Sequence, residues 1–201
     1  MSAGNQKNFL NKEQKRFSTE SSQLLCVGEL TAPWSKEFGQ FFEWWQTLKR
    51  YGHLVPRIRD FDENIPKNLA PAAFLLKRER GGEFRLSEIG EELRANSLKD
   101  LRGSHYLSLF SRDQAEEMGE HLFEICGQPC GSDSIRTVCQ ENGDLVIIRH
   151  LLLPMVGEGG VLKFVCGYAK VLDRKLQGNQ LLRSNRFEHI AYLDISAGRS
   201  K

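Results

Sequence analysis

The chain has 201 residues, 40% apolar and 27% charged, which suits one globular domain with appendages and a core that needs no disulfide or metal staple. Its 28 Lys and Arg nearly cancel 26 Asp and Glu, so no whole-domain field exists for a polyanion, and neither nucleic acid nor a membrane surface is an expected partner. Five cysteines with no secretory pattern ahead of them, and no apolar run near the ~20 residues of a membrane helix, lead to the expectation of a reduced cytoplasmic protein.

Residues 1–34 are expected to form a mobile lead-in, polar and aperiodic to about residue 22, with a short apolar run at 24–27 that packs as an extended segment. A helix is predicted over 35–51, because Phe38, Phe41, Phe42, Trp45 and Leu48 recur at helical spacing on one face. Ser35 is its expected cap and Gly52 its expected stop. Trp44 lies off the centre of that stripe and is expected near solvent, where it would form a dimer seam. Pro56, Pro66 and Pro71 then mark a loop with at most a short helix. Strands at 72–77 and 83–87, joined through Arg80-Gly81-Gly82, make a hairpin whose charged tip is a solvated turn.

Short amphipathic pieces fill 88–110. Ser111-Arg112-Asp113-Gln114 has the form of a capping box and opens a long helix. Ala115, Met118, Leu122, Ile125 and Cys126 are its buried stripe, and Gly127 and Pro129 end it. Three strands follow at 134–140, 145–155 and 161–172, turned by Asn142-Gly143 and by the glycines of 157–160. Residues 174–201 are an expected C-terminal extension, in which 187–195 adds a further strand or a short helix. The order of elements predicts an α+β fold on one antiparallel sheet.

The polar residues point to no familiar chemistry. Cys126, Cys130 and Cys139, with His121 upstream, lack the paired C-x2-C knuckles of structural zinc sites, so no metal is expected. Arg57, Arg59, Asp60 and Asp62 read as a salt-bridge knot tying the first helix to the sheet. There is no Gly-rich phosphate loop, nucleophile elbow or His-Glu-x-x-His helix, and no catalytic residue is expected.

The element order, with Trp45, Pro56-Arg57, Asp60-Phe61-Asp62, Phe84-Arg85-Leu86, Asp100-Leu101-Arg102-Gly103 and Leu152-Leu153-Pro154, resembles the small PAS-like proteins of alphaproteobacteria over about 38–173. Glu88-Ile89 stands where that family usually has Gly-Thr, and Ser97 where it has a glycine, so the ligand of a relative does not transfer. The resemblance implies a five-stranded antiparallel sheet with short helices, one long helix and an N-terminal flanking helix. It also implies a sensory or interaction module that signals through another protein and pairs as a homodimer.

His105 and His121 fall near the haem position of some PAS proteins, but a lone histidine does not make such a site, and haem is not expected. The cysteine of the covalent flavin photosensors is absent from Gly103-Ser104-His105-Tyr106, so any cofactor is unknown. Strand alternation predicts a small-molecule pocket lined by Ile148, His150 and Leu152 together with Leu162, Phe164, Cys166 and Tyr168. Met118, Leu122 and Ile125 are expected to close it from the long helix. One rival reading is a cone-shaped α+β enzyme of the ketosteroid-isomerase type. It needs a buried Asp or Tyr pair, while the strands offer Arg85, Arg136, Arg149, His150 and Tyr168. The other rival is a ligand-free dimerisation scaffold.

Overall fold

The computed structural model describes residues 24–25, 34–48, 50, 52–95, 101–139, 145–175 and 186–195. The aromatic stripe forms helix α1 (Lys36–Thr47), and Phe38, Phe41 and Trp45 are fully buried. Ser35 is at the N-cap, but its hydroxyl donates to Glu37 Oε2 at 2.8 Å and not to an orphan N–H. The helix ends before Gly52, since Leu48 already leaves in an extended conformation; Gly52, with φ 82°, serves the turn that follows.

Trp44 is not near solvent, contrary to expectation. It is 8% exposed, lies against Phe41 and Phe61, and donates its indole N–H to the Asn64 carbonyl at 2.8 Å. The reason is a second cover: α2 (Arg59–Asn64) folds back over α1, so the stripe buries a wider arc than its own sheet contact needs. What α1 leaves exposed is polar, at Lys36, Glu37, Glu43 and Thr47. Within the expected Arg–Asp knot Asp60 is buried with Oδ2 unpartnered among the described residues, and the side chain of Asp62 lies outside them.

The strands are β1 (Leu24–Leu25), β2 (Ala73–Arg78), β3 (Phe84–Ile89), β4 (Gly131–Cys139), β5 (Leu145–Val156), β6 (Leu162–Lys175) and β7 (Arg186–Leu193). A 3-10 turn, Ala70–Ala72, leads into β2. The β2–β3 hairpin turns through Gly81 and Gly82, both at positive φ, a backbone that side chains with a Cβ resist. Another turn of the sequence reading, Asn142-Gly143, lies outside the described residues.

The sheet order is β1-β7-β4-β5-β6-β2-β3. The five expected strands therefore stand together as β3-β2-β6-β5-β4, and the sheet is wider than expected by β7 and by the two residues of β1. Every pairing is antiparallel except that of β1 with β7. β7 covers the edge of β4 that would otherwise present unpaired N–H and C=O groups. It also brings Ala191 and Leu193, with Ile195 just beyond, into the core. The boundary expected at 173 thus falls inside β6, and part of the expected extension belongs to the sheet.

Helix α3 (Glu91–Ala95), the 3-10 turns Tyr106–Leu109 and Glu158–Gly160, and α4 (Arg112–Gly127) complete the described elements. Ser111 caps α4 by position without a side-chain bond, and the buried Gln114 donates instead to the Thr137 carbonyl at 3.4 Å. The expected reciprocal capping box is therefore not formed, because Gln114 is drawn across to β4.

Two apolar layers result. α1 and α2 cover one face of the sheet, through Leu151, Leu153, Met155, Cys166 and Tyr168. α4 and the Tyr106 turn cover the other, through Phe74, Leu76, Leu86, Leu152 and Val165. The sequence pieces that carry the PAS resemblance meet one another across these layers. Trp45 donates its indole N–H to the Pro154 carbonyl at 3.3 Å, and Pro56 and Ile58 exchange backbone bonds with Val156 at 2.9 Å. Gly103 and Ser104 exchange backbone bonds with Leu86, while Arg85 donates to the Gly103 carbonyl at 2.7 Å. No helix among the described residues is long and apolar enough to cross a membrane.

Candidate functional site

Strands β5 and β6 are central and buried on both faces, so the register between them decides which side chains share a cover. Ile148 stands opposite Val171, His150 opposite Ala169, and Leu152 opposite Gly167. Leu151 pairs with Tyr168, Leu153 with Cys166 and Met155 with Phe164. Directly opposed residues point to the same face. Met118, Leu122, Ile125, Ile148, His150 and Leu152 therefore do come together on the α4 face. Leu162, Phe164, Cys166 and Tyr168 do not join them, for they pack under α1 on the opposite side. Each strand alternates as expected, but the two alternations are out of step by one residue. Both sets are apolar because both faces are covered, so hydropathy alone could not distinguish them.

On the α4 face the apolar layer gives way to a polar niche. Ser134 and His150 stand opposite each other on β4 and β5, with Arg136 two residues along β4 from Ser134. The Phe74 ring lies edge-on to His150 at 6.3 Å and stacks on Tyr106 at 5.8 Å. Phe110, half-buried, meets Tyr106 at 5.1 Å and carries the Arg136 guanidinium over its own ring at 4.1 Å. Gly167 makes room for Phe74, since a Cβ there would run into the ring.

Tyr106, Ser134, Arg136 and His150 are all buried. The Tyr106 hydroxyl, Ser134 Oγ, Arg136 Nε and Nη1, and His150 Nδ1 have no hydrogen-bond partner among the described residues. Buried polar atoms are nearly always satisfied, and each one left unmade costs about 1–3 kcal/mol. Burial pushes the Tyr106 hydroxyl up to about 12, and the nearby Arg136 charge opposes that rise. The His150 imidazole is held well below its usual range by burial, and Arg136 pushes it the same way. Burial lowers Arg136 as well, but a guanidinium keeps its proton in a protein. The niche is thus one cation among neutral donors and acceptors.

On the other face the Tyr168 hydroxyl is likewise buried with no hydrogen-bond partner among the described residues, but the buried arginine there has its partners. Arg149 donates to Asp133 through Nε at 2.8 Å and Nη2 at 2.6 Å, and the Trp34 indole N–H adds a third bond to the same carboxylate at 3.2 Å.

The remaining candidates are dispersed. Cys126 and Cys130 are buried thiols, pushed up to about 11 and about 12 by burial, and the Cys139 side chain lies outside the described residues. Among the described residues no three His, Cys, Asp or Glu side chains converge as a metal set would. His105 is exposed between Arg85 and Glu83, and His121 reaches the Tyr192 hydroxyl at 2.5 Å.

A family model of the PAS domain matches residues 35–169. The chain belongs to the PAS domain family. The match opens at the N-cap of α1 and closes inside β6, so this PAS domain holds the whole niche within the family's span, and β7 lies outside it. Neither a curated protein nor a solved structure matches the chain.

Of the niche, sequence reasoning singled out His150 as pocket lining and Arg136 only as a strand polar residue. It missed Phe74, Tyr106, Phe110 and Ser134. A signal existed in β4, where Ser132, Ser134 and Arg136 make every second residue polar on the face that α4 covers.

Proposed function

We propose that this PAS domain is a cytoplasmic sensory or interaction module that binds a small molecule on the α4 face of its sheet. Its state passes to a separate signalling protein. The observation that carries the reading is the cluster of buried polar atoms at Tyr106, Ser134, Arg136 and His150 that are unpartnered among the described residues. A ligand that met them would recover several hydrogen bonds at once and would bias the turn Tyr106–Leu109 and the start of α4. The free, buried thiols of Cys126, Cys130 and Cys166 accord with a reducing compartment. An enzyme of the ketosteroid-isomerase type would want an acid beside Tyr106, but the buried Asp133 lies on the opposite face and is held by Arg149. Native and denaturing mass spectrometry of the purified protein, with an absorption spectrum, tests the reading. The expected result is a native mass that exceeds the polypeptide mass by a small molecule lost on denaturation. A bare native mass, with no added small molecule shifting the NMR signals of Tyr106 or His150, would refute it.

A further inference from the structure

Arg136 and Arg149, the buried arginines among the described residues of the sheet, differ in one respect. Arg149 has its carboxylate, Asp133. Arg136 is 8% exposed, forms no ion pair among the described residues, and meets the face of Phe110 and the Tyr106 hydroxyl's field in place of an anion. A buried cation without a counter-charge is costly, and what satisfies it best is an anion that also accepts its N–H groups. The neighbours supply donors for such an anion, at the Tyr106 and Ser134 hydroxyls, and flat apolar surface for whatever carries it, at the half-buried Phe110.

We infer that the niche takes a small organic carboxylate, its anionic head on Arg136 and its apolar body against Phe110. The inference rests on the reading of the niche as a ligand site and adds the chemical class. One cation is present, because burial holds His150 neutral, and it balances a singly charged planar head. A phosphate, carrying more charge, would call for a second cation, and no other Lys or Arg contacts the cluster among the described residues. Phe110 is half-buried and forms the rim, so the cation–π contact it makes with Arg136 is the one that a carboxylate displaces on entry.

Calorimetric titration of the full chain with benzoate and with its neutral isostere benzamide, on wild type and Arg136→Met, tests this. Benzoate should bind wild type at least about tenfold tighter than benzamide, and Arg136→Met should weaken benzoate by about ten- to a hundredfold while leaving benzamide within about twofold. The variant should fold, since it removes a buried charge that has no anionic partner among the described residues and keeps an apolar side chain against Phe110, and its chemical-denaturation midpoint verifies that. As a readout independent of any variant, the Arg136 Nε–H signal of wild type should move on adding benzoate and not on adding benzamide. Equal binding of the two probes, or benzoate binding that ignores Arg136→Met, overturns the carboxylate while leaving a ligand niche in place. If neither probe moves the signals of Tyr106, Arg136 and His150, both the carboxylate and the niche itself are overturned.

Discussion

Gly167 gives the sharpest test of the α4 face, because its lack of a side chain is a packing requirement and not a turn. It stands in β6 opposite Leu152 on one side and Phe74 on the other. A methyl group there would sit 2.5 Å from Cε1 and Cε2 of Phe74 and closer still to Cζ. Carbon atoms in contact rest about 3.5–4.0 Å apart, so the ring would have to retreat by more than about 1 Å. It has nowhere to go, since Phe74 is 3% exposed and wedged between Tyr106 and His150. Overpacking of this kind costs about 1–3 kcal/mol, and three ring atoms inside the contact distance put Gly167→Ala at the upper end. Replacing a strand glycine returns about 0.5–1 kcal/mol, which leaves a net loss of about 2 kcal/mol. For a chain of this size that is about 4–8 °C in melting temperature. Urea denaturation followed by circular dichroism reads the loss, and the double variant Gly167→Ala/Phe74→Leu should regain part of it. A Gly167→Ala protein within about 0.5 kcal/mol of wild type would show that the Phe74 ring does not lie on this strand.

Other perturbations separate the two faces. Leu122→Ala should cost about 2–5 kcal/mol, since Leu122 is fully buried in the α4 layer; a loss under about 0.5 kcal/mol in chemical denaturation would show α4 misplaced. Trp44→Glu should destabilise the fold by about 4 kcal/mol or more by burying a charge among Phe41 and Phe61. Light scattering of a stable Trp44→Glu protein that had merely changed from dimer to monomer would restore the solvent-facing seam that the structure removes. Acid should weaken the protein through His150. Its folded pKa lies well below 6.5, so the unfolded chain takes up the proton first as pH drops. His150 therefore contributes stability that is whole above about pH 6.5 and is lost as pH falls toward the folded value, by up to about 1.4 kcal/mol per pH unit. Urea midpoints at pH 7 and pH 5 should differ less in His150→Gln than in wild type, and an unchanged difference would show that His150 is not buried neutral.

The sequence by itself determined the elements and their order. Helical spacing of Phe38, Phe41, Phe42 and Trp45, the stripe of Met118, Leu122 and Ile125, and the glycines of the hairpin each encode a local choice that backbone geometry and burial periodicity make alone. The family resemblance was legible too, because its pieces are the residues that bond to one another between layers, such as Trp45 to Pro154. What tertiary structure decided was the pairing of alternations. In β5 and β6 both alternating sets are mostly apolar, each with one buried polar residue in β5 (Arg149 or His150), so a shift of one residue in register moves Cys166 and Tyr168 from one layer to the other without changing any local preference. Trp44 was decided the same way, by α2 folding over α1 from a loop whose path no periodicity records. The niche is the furthest from the sequence. Phe74, Tyr106, Phe110, Ser134, Arg136 and His150 come from β2, the Tyr106–Leu109 turn and its end, β4 and β5. Separately they read as ordinary strand and turn residues. Only the closing of the sheet beneath α4 leaves Arg149 with a carboxylate and Arg136 without one among the described residues.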